Sequence, residues 1–528
     1  MKILENINFT DLNNIPQLIK DFLRGDLADF TSDMFSLENF QTKIERKENS
    51  FSAEKRSILA DCLKKQLANV HLREKQTENL QLLNKKNTFT ITTGHQLNLF
   101  SGPAFFIYKI LQTIKTASFL SQKFPEAQFV PIFWMATEDH DFEEINHFKT
   151  EHNFYEIRGE SGGVVGKIVP ENLHFITEFS EEFQDSVFGT ELNLIIKEAY
   201  KLGNNLTEAT RTLVQRLFSE FGLLMIDGDD ASLKKQIIPI FEEELQHQTL
   251  KKYSSDKVDF LINTYGKAQV NPRDINLFYL TDTRDRIEFA NGNYHIVDKN
   301  ISFTKDEMMQ ELQMFPEKFS PNALMRPVFQ EFILPNLAYI GGNAEIMYWL
   351  ELKDFFANLE IPFPILIPRN SFLFLKEKTV EKVAKLKLEI VDLFKNFENI
   401  SKNLLLNNHE ILEHLDFLEI KLKTQFSEMK TSAESTDITF GQLVVAEETR
   451  QLKSFDRMKK RLLRAEKIKQ SELLDRARNL FTEIHPSGIW QERVYNFSVF
   501  YAEEGESWLQ FCLKEMPIEN PELVIAVI

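Results

Sequence analysis

Over residues 1 to about 85, apolar side chains recur at helical spacing in a charged background, through Ile58 and then at steps of four and three through Leu63, Leu67 and Val70, and this predicts helices. Near residue 89 the pattern changes. Phe89-Thr90-Ile91-Thr92-Thr93 alternates β-branched and aromatic residues like a strand, Gly94–Pro103 interrupts it, and a helical pattern then runs to Pro125. The next segment, QFVPIFWMATED, is a continuous apolar run of the kind a parallel strand buried on both faces shows. Strand, loop, helix and strand make one βαβ unit. Two further runs, FGLLMIDGDD and IPFPILIPRN, each follow a helical pattern and end in polar residues. In a doubly wound α/β sheet those polar ends lie along the carboxyl edge, where ligands bind. The stretches at about 151–200 and 250–320 are irregular and predict subdomains inserted into the sheet.

From about residue 372 a third texture begins. Val383, Leu386, Ile390, Leu393, Phe397, Ile400 and Leu404 alternate steps of three and four, a heptad seam. After the small-residue break TSAESTDITFG, a helical pattern returns with Leu452, Phe455, Leu462 and Ala465. Two long helices around a polar turn predict an antiparallel coiled-coil arm over 372–480. The returning helix is basic over 450–469, which suits a solvated face or, in the alternative, a patch for an anionic ligand. The predicted organisation is a helical segment at 1–85, the α/β core at 86–371, the arm at 372–480 and a segment at 481–528 that returns to the core.

Composition narrows the function classes. The chain has 528 residues, three to four units at about 150 residues each, and 43% of them are hydrophobic. A net charge of −17 argues against binding nucleic acid or an anionic membrane, because each phosphate would be approached against a repulsive field. Glycine is sparse at 18 residues, as expected for long helices. Two cysteines, Cys62 and Cys512, in no metal-binding spacing, make no disulfide framework and fit a reducing compartment. No signal-peptide pattern or membrane-length apolar run is present, so a cytoplasmic location is expected.

Three segments carry candidate chemistry. Thr92–Pro103 leaves a strand and opens a helix, so its backbone N–H groups face any anion at the sheet edge. Gly94 permits close backbone approach there, and His95, Gln96, Asn98 and Ser101 supply polar groups. Thr137–His147 follows the next strand and holds Glu138, Asp139, His140 and Asp141, the candidate catalytic set, with Asn146 and His147 as binding candidates. Such a group binds an ammonium, acts as a base, or holds magnesium through Glu138 or Asp139 together with phosphates. Too few imidazoles and no thiol leave no closed zinc site. The third segment, Phe319–Trp349, combines Asn322, Arg326, Gln330, Gly341, Gly342 and Glu345, and Arg326 is suited to clamping a carboxylate or phosphate. Two near misses carry nothing. Gly162–Lys167 is one residue short of a phosphate loop and is followed by Ile168, and His409 and His414 are five apart rather than the four of a zincin helix.

In order, TTGHQLNLFSGP, FWMATEDHDFEEINH, FGLLMIDGDD, the 319–349 segment and PSGIWQER (Pro486–Arg493) resemble the BshC family, cysteine ligases of bacillithiol biosynthesis. The resemblance spans roughly residues 90–500. It implies a Rossmann-like parallel-sheet core with inserted connecting subdomains, and a coiled-coil arm through which a homodimer forms. It also implies the last step of bacillithiol assembly, in which L-cysteine is joined through its carboxyl to the amine of glucosaminyl malate. The Gly-His turn further resembles the signature turn of class I aminoacyl-tRNA synthetases, at the level of fold. An amide does not form from a free carboxylate in water without activation, so ATP and magnesium are expected, with an adenylate or acyl phosphate between. A carboxylate of the acidic cluster or His140 is the expected base. Three alternatives remain at this point: an adenylate-forming enzyme or nucleotidyltransferase acting on another acid, a metal-dependent hydrolase, and a non-catalytic coiled-coil scaffold.

Overall fold

A computed structural model describes residues 1–31, 33–159, 161–406 and 409–528, so one position of the predicted 151–200 insertion and two of the 372–480 arm lie outside the described residues. The chain divides into two compact units, one of residues 1–11, 15–374 and 491–528, the other of 12–14 and 375–490.

The first unit is built on five strands: β1 (Thr88–His95), β2 (Gln128–Met135), β3 (Leu224–Asp227), β4 (Asn336–Gly341) and β5 (Ile365–Pro368). All are parallel, in the order β5-β4-β1-β2-β3. This is the doubly wound order, in which the chain builds one half outward from β1, returns, and builds the other half from β4. The crevice at the carboxyl ends of β1 and β4 is therefore the topological switch point. Helix α1 (Phe105–Lys123) connects β1 to β2 and is buried along most of its length, as the near-continuous apolar run in its sequence requires. On one face of the sheet Phe89, Ile91, Phe129, Ala338, Ile340, Ile365 and Ile367 pack with Phe40, Ala117 and Leu120 into a single core.

The sequence reading is corrected at the amino terminus and filled in at the two insertions. The amino terminus is not wholly helical: Lys2–Asn8 is a strand that pairs antiparallel with Glu522–Val527. Its partner is at the far end of the chain, and local periodicity carries no trace of it. The 250–320 insertion contributes strands Leu277–Leu280, Arg284–Ala290, Asn293–Ile296 and Ile301–Phe303 to an antiparallel sheet completed by Phe319–Pro321. The 151–200 insertion holds two helices, His174–Phe183 and Gly189–Ala199.

In the second unit, helices α2 (Glu410–Ala433) and α3 (Ile438–Lys469) form the hairpin, with Asp437 capping α3 through the amides of Thr439 and Phe440. Phe426, Ala433 and Val444 are buried between them. Lys459 on α3 meets Asp416 and Glu419 on α2, both at 2.5 Å, so part of the basic run is neutralised across the hairpin. The heptad seam at 383–404 is not one helix. It is divided among Glu377–Lys385, a short 3-10 turn at Ile390–Phe394 and Phe397–Leu406. Lys387 at φ +57° and the extended backbone of Lys395 break it, and neither changes the hydrophobic spacing.

Candidate active site

Because the five strands are parallel, the polar ends of all five fall on one edge. At the switch point Gly94 leaves β1, and a Cβ there would lie 3.4 Å from the Tyr339 hydroxyl and 3.6 Å from Arg326 Nη1. Glycine thus keeps a narrow space open between the turn and the two side chains. Lys109, on the second turn of α1, donates to the Gly94 carbonyl and reaches Glu345 at 2.6 Å. Glu345 sits in the first turn of the helix Asn343–Trp349 and also accepts from the Tyr339 hydroxyl (2.6 Å) and the Gly342 amide (2.8 Å). Burial raises the Glu345 pKa, but Lys109 and these two donors outweigh it and hold the carboxylate below its usual range. Burial lowers the Lys109 ammonium, with Glu345 opposing.

Arg326 lies on the helix Met325–Ile333 and reaches Gln330 Oε1 at 2.9 Å, its guanidinium facing the rings of Trp134 and Tyr339. Gln330 in turn donates to the buried Glu331, which also accepts from Asn336 at the start of β4. Beyond β5, Arg369 pairs with Glu492 at 2.7 Å, and both Arg369 and Arg493 lie over the ring of Phe105. Lys109, Arg326, Arg369 and Arg493 thus share one crevice with two carboxylates, Glu345 and Glu492, so positive charges exceed negative by two. His95 adds none: burial and Lys109 push its imidazolium down to about 3, and its ring packs on Phe105 and Phe106. The crevice is arranged to take anions.

The acidic cluster occupies the neighbouring ends of β2 and β3. Gln96 Nε2 ties it to the first turn by donating to Asp139 Oδ2 (2.8 Å) and Glu144 Oε2 (2.9 Å). Asp139 Oδ1 accepts the amides of His140 and Asp141. Asp141 caps the short helix that follows, through the Glu144 amide. Glu138 is bound to Lys234, on the helix Ala231–His247, at 2.6 Å, and Lys234 also meets Asp229 at 2.9 Å. His140 meets Arg284 at 2.9 Å through Nδ1. Burial and then Arg284 lower the His140 pKa, with Asp139 opposing. Asp227, at the end of β3, accepts from Thr137 and the Asp229 amide, and burial pushes it up to about 6. Of the two carboxylates expected to hold magnesium, Glu138 is paired with Lys234 and Asp139 accepts protein N–H groups.

The remaining predicted residues fall around these two groups. Asn98 and Ser101 are buried in the turn, where Phe100, Ser101 and Gly102 all have positive φ. Asn496 secures that backbone by donating to the carbonyls of Phe100 (2.7 Å) and Gly102 (2.6 Å). Asn322 caps the Arg326 helix through the amides of Leu324 and Met325. Asn146 and His147 bond to each other at 2.9 Å, and His147 packs on Phe154. Gly341 ends β4, and Gly342 supplies the amide that Glu345 accepts. Sequence reasoning missed Lys234, Asp227, Arg284, Tyr339, Arg369, Arg493 and Asn496, and gave Lys109, on the helix after the turn, no role. Of the missed residues, Asp227, in FGLLMIDGDD, Tyr339, in the 319–349 segment, and Arg493, in PSGIWQER, carried a local signal.

The fold defines a Rossmann-like α/β class, with a net-positive group of side chains at its switch point. Comparison with known proteins is more specific. The family model "Bacillithiol biosynthesis BshC, N-terminal Rossmann-like domain" matches residues 3–370, and the companion "C-terminal coiled-coil domain" matches 372–526. A Flavobacterium johnsoniae protein named "Putative cysteine ligase BshC" is 42% identical over 99% of both chains. Proteins of the same name from Flavobacterium psychrophilum and Christiangramia forsetii are 42% and 39% identical over 95% and 97% of both chains. The chain belongs to the BshC family.

Proposed function

We propose that the chain is a ligase that joins the carboxyl of L-cysteine to the amine of glucosaminyl malate, forming bacillithiol in the last step of its synthesis. Family membership and the relatives' shared name support the reaction class. The observation that carries the reading to particular residues is the excess of cations at the switch point. Both partners of such a reaction bring anions there: the malate carboxylates, and the phosphate of an activated cysteine carboxyl.

In this reading ATP is the activating co-substrate. Arg326 takes a malate carboxylate, because its guanidinium has no carboxylate within ion-pair distance among the described residues. Arg369, Arg493 and Lys109 make the potential around the phosphate positive. Two oriented substrates then react as one molecule, which replaces much of the entropic barrier. The amine must lose its ammonium proton before attack. Asp227, at about 6, is ionised at neutral pH yet takes a proton more readily than an ordinary carboxylate. No described helix is long and apolar enough to cross a membrane, and the reading places the reaction in the cytoplasm. The arm serves as a dimer seam, since Phe417, Ile420, Phe440 and Leu443 stay exposed along the hairpin.

The test is direct: protein, ATP, magnesium, cysteine and glucosaminyl malate are incubated, and bacillithiol is sought by mass. Product is expected from wild type and at least about a hundredfold less from Asp139→Ala, since Asp139 orders both His140 and Gln96. Unchanged product from the variant removes the acidic cluster from the mechanism.

A further inference from the structure

His140 and Arg284 come from distant parts of the chain, and their contact constrains which ring nitrogen carries a proton. A guanidinium has five N–H donors and no acceptor. Arg284 Nη1 lies 2.9 Å from His140 Nδ1, so Nδ1 must present its lone pair. The neutral ring then carries its proton on Nε2. We propose that Arg284 is a positioning residue that holds His140 as the Nε2–H tautomer, so that His140 meets the reacting groups as a hydrogen-bond donor and not as a base.

Arg284 is not free to turn away. Its Nε donates to Ser320 Oγ at 3.0 Å, its Nη2 donates to the Pro321 carbonyl at 2.7 Å, and its plane lies over the Phe278 ring at 4.1 Å. Phe278, Arg284, Ser320 and Pro321 all sit on paired strands of the inserted antiparallel sheet. That sheet acts as a bracket that carries the guanidinium to the His140 ring, which itself packs on Phe278 at 5.4 Å.

The usual way to orient a histidine base is the reverse. A carboxylate accepts Nδ1–H, which leaves the Nε2 lone pair facing the substrate. Asp139 is the residue placed to do this, but its Oδ1 is 3.7 Å from Nδ1, too far for a hydrogen bond, and it already accepts the His140 amide at 2.7 Å. Arg284 occupies Nδ1 instead. With the side chain 40% exposed, the ring can present its Nε2–H to the rim, where it suits an oxygen that gains negative charge. The amine proton must then go to another acceptor. The catalytic consequence rests on the ligase reading, whereas the tautomer does not.

The experiment has two arms. In protein labelled with ¹⁵N-histidine, the His140 signals are assigned by their loss in His140→Gln. Wild type is expected to show an unprotonated Nδ1 and a protonated Nε2, and Arg284→Gln to lose that pattern while other histidines keep theirs. A protonated Nδ1 in the wild type overturns the proposal. In the turnover arm, His140→Gln, whose amide nitrogen stands near the Nε2 position, is expected to fall less than about tenfold. His140→Asn, which mimics Nδ1, and His140→Ala are expected to fall about a hundredfold. Equal loss in all three variants contradicts a donor role. If wild type itself makes no product, the ligase reading fails, and the nitrogen shifts still decide the tautomer.

Discussion

Replacing Glu345 with Gln tests the buried ion pair that organises the switch point. Lys109 is 3% exposed and depends on Glu345 for its counter-charge at 2.6 Å. At an effective dielectric of 20 that contact is worth about 6 kcal/mol before desolvation is counted. Desolvation removes much of it, but Gln leaves the ammonium buried and uncompensated, a loss of about 3–5 kcal/mol. Lys109→Met costs less, because Glu345 is 24% exposed and keeps the Tyr339 hydroxyl and the Gly342 amide. The double variant, with neither charge, should therefore be more stable than the sum of the singles implies, with a coupling of at least about 2 kcal/mol. Urea unfolding followed by tryptophan fluorescence reads this, since the Trp349 ring lies 4.7 Å from that of Tyr339, within the same network. Single variants that each lose under about 1 kcal/mol and add without coupling would refute an organising ion pair at this site.

Three other outcomes follow from the same geometry. Gly94→Ala should fold normally, because the added Cβ meets no atom closer than 3.4 Å, yet KM should rise about tenfold as the space facing Arg326 closes; an unchanged KM removes the turn from substrate binding. Asn496→Ala strips donors from two buried carbonyls of the positive-φ turn and should destabilise by about 2–4 kcal/mol in thermal unfolding; a loss under about 0.5 kcal/mol means the turn holds itself. Asp227, raised from 3.8 to about 6, keeps a proton in the folded protein that the unfolded chain has already lost, so its ionisation lowers stability as pH rises through that window. Asp227→Asn should therefore gain stability relative to wild type between pH 4 and about pH 6, by up to about 3 kcal/mol less its weakened hydrogen bonds. A difference that is flat with pH, or that falls, contradicts a raised Asp227.

The strands of the core were legible because burial on both faces leaves long apolar runs, and their polar ends were legible because a parallel sheet puts every such end on one edge. The chemistry there was legible only where it was contiguous. Glu138–His140 stood out as a cluster, but sequence spacing gave Glu138 the same standing as Asp139, although Lys234, 96 positions further on, commits it to an ion pair. Lys109 is one cation among many, and only the helix phase turns it towards Gly94. Arg284 arrives from an inserted sheet, 144 positions after His140, and no local pattern distinguishes it from a surface arginine. The heptad seam at 383–404 misled for a related reason: hydrophobic spacing survives a backbone break that Lys387 makes by taking a positive φ.

The central claim is that the cations of the switch point bind the substrates of a cysteine ligase. It is tested most directly by the rate of bacillithiol formation from cysteine, glucosaminyl malate and ATP in wild type and Arg326→Met, side by side. The account predicts product from wild type and a loss of at least about a hundredfold in the variant, as for removal of a charged donor that fixes a substrate. Product from Arg326→Met at the wild-type rate, or none from folded wild type, would contradict it.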